Sequence, residues 1–448
     1  MVVACGDAPH VTTPLSSDGT NLRDESGRIA VLRGVNARVD GVFDVAFSDG
    51  RTALEPLPPL DASDCARMRA LGFDLLRLPI QWSAIEPARG MFDDAYLDRV
   101  DAAIRCAGAA GLYVVVDLHQ DAYSKEIGED GAPLWAIQPP PAMLLQGPLT
   151  DLDQRRTSPQ VTAAFATFFD PSDPAGLQAD FMTMLDHVAT RWAIDPAVLG
   201  FELYNEPPVG EQQVDAFQIA AAARVRAAAP DKLVVFEPSA VRNLFDFVPR
   251  ATAAFPTANA VYAPHIYTFV FYQDQTLLQN LHAADLEASV QAARDEATAW
   301  HTPMVITEYG IGPTMPNADL WMGVEAQLHD RYLASDAFWL WKEESQGSWG
   351  VFDYTGGTWT ERPQVVAWIS RIHAARISGT VVANDYDYTT GALHLETHGA
   401  TSAHDIYIPE RAAASFAITC DGAAMSATRE PSTGLVTVAC DGILAVTP

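Results

Sequence analysis

Eight short runs of apolar, often β-branched residues recur along the chain, each ending in polar or aromatic residues and followed by a stretch of helical texture. In chain order they are RIAVLRGVN (28 to 36), DLLRLPI (74 to 80), YVVVDLHQ (113 to 120), VLGFELYNEP (198 to 207), KLVVFEP (232 to 238), AVYAPHIY (260 to 267), MVITEYG (304 to 310) and FWLWK (338 to 342). Parallel strands need a long crossover between them, usually a helix, and eight such units are the number that closes a sheet into a barrel. The expected fold is α/β, a (β/α)8 TIM barrel spanning residues 1 to 375. The stretches 101 to 110, 214 to 229 and 286 to 300 are rich in Ala and free of Pro, as crossover helices should be. RPQVVAWISRIHAA (362 to 375) reads as the last helix. From 376 to 448 the texture changes to short alternating strands with turns, which predicts a small C-terminal antiparallel β-sandwich.

The formal net charge is −29 over 448 residues. Nucleic acids and anionic membrane surfaces are bound through Lys and Arg, so this balance argues against both as partners. No run of 18 apolar residues occurs, so no segment is expected to span a bilayer. The opening MVVACGDAPH places three small or apolar residues before Cys5, a loose match to a bacterial lipid-attachment site. Five cysteines leave one over: Cys420 and Cys440 could form a disulfide in the sandwich, and Cys65 and Cys106 could pair or remain buried thiols. Their spacing is not that of a zinc site, and no metal or other cofactor is implied.

In a barrel of this kind the chemistry sits at the C-terminal ends of the strands. Two acids occupy such ends: Glu206 in FELYNEP, closing the fourth run, and Glu308 in VITEYG, closing the seventh. Two carboxyls flanking one bond are what glycoside cleavage requires, one to protonate the leaving oxygen and one to attack or to activate water. Alone, either acid is a common residue beside a turn. Their joint position on runs four and seven resembles glycoside hydrolase family 5, in the clan that places the acid/base after strand four and the nucleophile after strand seven. The resemblance implies a retaining hydrolase with Glu206 as acid/base and Glu308 as nucleophile. It further implies that Asn205 bonds the sugar 2-hydroxyl and that Arg77 keeps the nucleophile ionised. His119, His265 and Tyr267 would bind sugar or orient the nucleophile, and Trp339 would form the platform beneath the reacting sugar. Trp341, on the same face of the expected strand, is an equal candidate for that platform. Glu202 and Glu237 read as structural polar groups.

The segment 121 to 178 is too long for an ordinary βα loop, and its GAPLWAIQPPPAMLLQGPL is apolar yet crowded with Pro. DLHQDAYS (117 to 124), GAPLWAI (131 to 137) and HDIYIPE in the tail resemble the endoglycoceramidases, which release the glycan from the ceramide of glycosphingolipids. Through that resemblance Asp121 would hold the first sugar. Trp135, Ile137, Met143, Leu144 and Leu145, with Phe269, Val270, Phe271 and Tyr272, are candidates for an apolar wall against the lipid. Where those enzymes carry a lysine near the sugar, this chain has Arg38 and Asp40, a difference that could favour galactose-first glycolipids. The expected partner is therefore a glycolipid substrate, with no obligate protein partner, in a secreted or cell-envelope protein. Three other readings stay open: a β-glucosidase of glucosylceramide or steryl glucosides, a cellulase or mannanase, and an inactive carbohydrate- or lipid-binding protein.

Overall fold

The computed structural model describes residues 12 to 244, 254 to 344 and 349 to 448. Cys5 lies outside them. Seven of the runs, with a strand that ends at the start of the eighth, form a parallel sheet that closes on itself: β1 Arg33–Asn36, β2 Leu75–Ile80, β3 Tyr113–Leu118, β4 Val198–Glu202, β5 Leu233–Phe236, β6 in two pieces (Ala260–Tyr262 and His265–Ile266), β7 Val305–Tyr309 and β8 Ser335–Phe338. Pro264, which cannot donate to a ladder, lies in the gap within β6. The first piece pairs with β5 and bridges Tyr262 to Met304, the second pairs with β7, and β8 pairs with β1. The ring is thereby complete.

β2 and β3 are buried along their whole length, as a barrel strand packed on both faces must be. Gly200 on β4 is needed for closeness, because a Cβ there would come within 2.4 Å of the Leu233 carbonyl oxygen. The crossover helices bury one face each. Asp94–Ala109, for example, starts where the Asp93 side chain accepts the Tyr96 amide and buries Leu97, Val100, Ala103 and Ile104. Register decides the site: Asn36 lies beside Arg77, Asp117 beside Glu202, and His265 beside Glu308.

Three details differ from the sequence reading. The eighth strand is Ser335–Phe338, so FWLWK lies mostly beyond it, and Trp339 and Trp341 do not share a strand face. The last helix covers only Pro363–Ile369, because the chain then enters strand His373–Ile377. The expected division between 375 and 376 therefore falls inside a strand. The sandwich also recruits the N-terminus: Leu15–Ser17, Leu22–Asp24 and Ile29–Ala30 join His373–Ile377, His404–Tyr407 and Leu435–Val438 in one six-stranded sheet. A five-stranded sheet, Thr380–Asp387 to Ala423–Met425, faces it. Ile29, Val31, Ile377, Leu395, Ile406 and Val446 pack in the core between them.

Cys420 and Cys440 form a disulfide. Cys65 and Cys106 do not pair: Cys106 is disulfide-bonded, whereas Cys65 is a free thiol whose pKa burial pushes up to about 12.

Candidate active site

Arg77 organises the C-terminal mouth of the barrel. Its side chain is fully buried (0% exposed) and projects from β2. Nη1 donates to Glu308 Oε1 at 2.6 Å and to Asn36 Oδ1 at 3.1 Å, Nε donates to Glu202 Oε2 at 2.6 Å, and Nη2 donates to Asn205 Oδ1 at 2.7 Å. Asp117 Oδ2 lies 3.0 Å from Nη2. A guanidinium suits this place because its rigid fork carries five donors and a charge that carboxylates cannot titrate away. Burial works against the cation, but Asp117, Glu202 and Glu308 hold its pKa far above the usual value.

Glu308 ends β7. Arg77 holds one of its oxygens, and the Tyr267 hydroxyl donates to the other at 2.9 Å. Burial and the facing Glu308 push the Tyr267 phenol well above its usual range, so it stays a donor. Glu206, past the end of β4, is less enclosed, with 32% of its side chain exposed. Its Oε1 meets His265 Nδ1 at 2.8 Å and accepts from Asn243 Nδ2 at 3.3 Å. Although it keeps this opening, burial and the charge of Asp121 push its pKa up. His265 is the reverse case: burial lowers it to about 4, so the ring is neutral at pH 7.

A ligand oxygen of Glu206, one of Glu308 and a ring nitrogen of His265 all lie within 4.8 Å of one another. Glu202, Glu237 and His265 form a second such triad beneath. These are the groups among the described residues whose spacing could hold a metal ion. The Arg77 guanidinium supplies positive charge at the same place, against Glu202 and Glu308.

The structure brings most of the predicted residues together. Asn205 is fixed by Arg77 on its oxygen and donates one Nδ2 hydrogen to the Gln120 carbonyl at 3.0 Å, which leaves its second hydrogen for a ligand. His119 binds Asp117 at 2.6 Å and stacks on Trp339, with ring centroids 6.0 Å apart and 15° between planes. Burial raises Asp117 to about 7 and lowers His119 to about 4. Trp339 is half-buried beside these groups, whereas Trp341 is core: it is 2% exposed and its Nε1 donates to Asp64 at 3.1 Å. The platform candidate is therefore Trp339.

Arg38 is buried and committed to carboxylates, with Glu55 and Glu343 each at 2.6 Å and Glu129 at 3.4 Å, and its guanidinium lies 5.8 Å from the Trp339 ring. Asp40 is exposed. Trp135 packs edge-on against Trp82 at 5.1 Å and donates to the Glu86 carbonyl, so it braces the long loop. Ile137 and Val270 are core, at 1% and 3% exposed. Of the apolar wall, Met143, Leu144 and Phe271 stand open to solvent.

Sequence reading missed Arg156, whose guanidinium grips both oxygens of Asp121, and Asn243, which holds Glu206. It also missed how closely Glu237 stands to Glu206. No motif marks these residues. Arg156 belongs to a short helix in the 121 to 178 insertion, and Asn243 follows β5 by a turn.

Residues 48 to 345 match the family model for cellulase, glycosyl hydrolase family 5. The chain belongs to glycosyl hydrolase family 5. As a family 5 glycoside hydrolase it is 29% identical to endoglycoceramidase I of Rhodococcus hoagii (strain 103S), over 96% of this chain and 86% of that protein. Its fold matches the crystal structure of an endogalactoceramidase with a TM-score of 0.78 at 25% identity, covering 97% of this chain and 99% of the other. A glucosylceramidase of Rhizopus delemar (strain RA 99-880) is 26% identical over 47% of this chain and 38% of its own length. Among the described residues of this family 5 chain, no helix is long and apolar enough to cross a membrane.

Proposed function

We propose that this family 5 enzyme is a retaining hydrolase of the β-glycosidic bond between the glycan and the ceramide of glycosphingolipids. The observation that carries the retaining mechanism is the approach of Glu206 and Glu308 oxygens to within 4.8 Å. Carboxyls about 5 to 5.5 Å apart suit double displacement, whereas inversion needs about 6.5 to 9.5 Å to seat a water between them.

In the first step Glu308, oriented by Arg77 and Tyr267, attacks the anomeric carbon while Glu206 gives its proton to the ceramide oxygen. In the second, Glu206 takes a proton from water, which attacks the same carbon and releases Glu308. The raised pKa of Glu206 suits an acid that must begin protonated. The free Nδ2 hydrogen of Asn205 meets the 2-hydroxyl, and Trp339 lies beneath the sugar. Likeness to the Rhodococcus endoglycoceramidase over nearly the whole chain supports the substrate class. Met143, Leu144 and Phe271, exposed on the loops after β3 and β6, offer the apolar surface that a lipid aglycone needs. The endogalactoceramidase likeness, with Arg38 beside Trp339, makes galactose-first glycolipids the series to test first. The Cys420–Cys440 disulfide fits a secreted or cell-envelope protein. For the two units, we propose a barrel and a sandwich that includes the N-terminal strands.

The test is product analysis with fluorescent galactose-first and glucose-first glycosphingolipids. An intact oligosaccharide plus ceramide is the expected outcome. Release of glucose alone from glucosylceramide would favour the second reading, a glycolipid β-glucosidase, which the Rhizopus relative supports. Hydrolysis of cellulose or mannan without glycolipid turnover would overturn both.

A further inference from the structure

Glu206 sits in a backbone conformation that side chains rarely adopt, with φ at +40°. Past the end of β4 and turned this way, Glu206 has no strand partner for its part-buried amide, which needs another acceptor. The acceptor is Glu237, at the end of β5, whose Oε2 receives the Glu206 N–H at 3.0 Å. The same Oε2 lies 3.5 Å from His265 Nε2, and the other ring nitrogen of His265 contacts the Glu206 carboxyl. Glu237 thus approaches Glu206 from two sides, through its amide and through the imidazole that holds its carboxyl.

Glu237 is itself held in place. Its backbone N–H donates to Gln218 Oε1 at 3.0 Å, and Gln218 Nε2 returns a bond to its carbonyl. Its side chain is buried (1% exposed) and faces Glu202, Arg77, Glu206, Asp117 and His265. A carboxyl so enclosed is expensive to keep unless its oxygens have work.

We propose that Glu237 is a positioning residue for Glu206: by accepting the Glu206 amide and backing His265 it fixes the left-handed turn that aims the proton at the leaving oxygen. The proposal rests on the reading of Glu206 as acid/base and gives Glu237 more than the structural part its sequence position suggested. Burial, with Glu202 beside it, pushes the Glu237 carboxyl well above its usual range, and in either protonation state it presents an oxygen to the amide.

A positioning role through the acid/base predicts a loss that depends on the leaving group. Dinitrophenolate departs without protonation, whereas ceramide does not. In Glu237→Ala, kcat/KM for digalactosylceramide should fall about a hundredfold, the scale of a misplaced catalytic group, while the pre-steady-state burst with the 2,4-dinitrophenyl glycoside of the same disaccharide changes by no more than about threefold. Glu237→Gln, which keeps an oxygen for the amide, should recover most of the digalactosylceramide activity. If Glu237→Ala does not fold, Glu237→Asp takes its place, since the shorter side chain falls short of the amide and should show the same split. Equal losses on the two substrates, or no loss on either, would overturn the proposal. Glu206→Ala run in parallel separates the two claims. If it loses the dinitrophenyl burst as well, the acid/base reading fails; if it spares that burst and the Glu237 variants do not, only the role of Glu237 fails.

Discussion

Replacing Arg77 by Met tests whether one buried cation holds the site together. The substitution keeps most of the side-chain volume and removes every donor, so it abandons Glu308, Glu202 and Asp117 together with the Asn205 oxygen. Breaking a buried ion pair by removing one partner costs about 3 to 5 kcal/mol, because the charge left behind has no compensation. Three carboxylates are left here, but they can take up protons, so the loss stays near the figure for one or two pairs. For 448 residues the unfolding entropy is about 0.9 kcal/mol per kelvin, so about 4 kcal/mol lowers the melting temperature by about 4 to 5 °C. Calorimetry at pH 7 measures this.

The sign with pH follows from the abandoned acids. Of these, Asp117 is raised by burial to about 7 even with Arg77 pulling it down, so losing the cation raises it further and makes its ionisation in the folded state more costly. The gap between wild type and Arg77→Met should therefore widen as pH rises above about 7 and narrow below it. Turnover should vanish at every pH, since nucleophile and Asn205 lose their alignment together. Arg77→Lys, which keeps the charge but lacks the planar fork, should be intermediate in stability and still nearly inactive. An Arg77→Met protein that melts with the wild type at pH 7 would refute the assignment of Arg77 as the hub.

Asp121→Asn removes a charge that pushes the Glu206 pKa up, so the basic limb of the kcat/KM profile should move to lower pH, read on glycolipid across pH 5 to about 9. An unmoved or rising limb would show that Asp121 does not act on the acid. Replacing residues 138 to 145 by a polar linker, which removes exposed Met143 and Leu144, should lower glycolipid turnover while leaving a soluble aryl glycoside within about twofold. Equal losses would show that the loop is only structural. Replacing both Cys420 and Cys440 by Ser should cost the sandwich about 2 to 4 kcal/mol, visible as an earlier melting transition, with activity at 25 °C retained. Loss of activity at 25 °C would show that the barrel depends on this bond.

Local chemistry wrote much of the molecule into its sequence. Strand runs, Ala-rich helices and the change of texture after the barrel are signals carried by a few adjacent residues; seven of the eight strand runs hold a barrel strand, while the eighth strand lies ahead of its run and the last helix ends early. The two glutamates were legible because a turn motif and a strand number together say where a side chain points. Trp339 and Trp341 were not separable, because which of two aromatics is core depends on what lies opposite; Asp64, from the helix after β1, took Trp341. The N-terminal strands carried no sign that they would complete the sandwich, since an edge can be filled by any strand of suitable length and only the path of the chain brings residues 15 to 30 to His373–Ile377.

Charge partners were the least legible of all. Nothing in the sequence marked Glu55, Glu129 and Glu343 as the partners of Arg38, and Arg156 was lost in a loop until the fold laid it on Asp121. The sequence by itself determined the barrel, the pair of acids and the family. Tertiary structure decided the register that sets Asn36, Arg77, Asp117, Glu202 and Glu308 around one guanidinium, and the left-handed turn that gives Glu237 its contact with Glu206. The reason is physical: periodicity is a property of neighbours along the chain, whereas the partner of a buried charge is set by whatever group the closed barrel carries within about 3 Å of it.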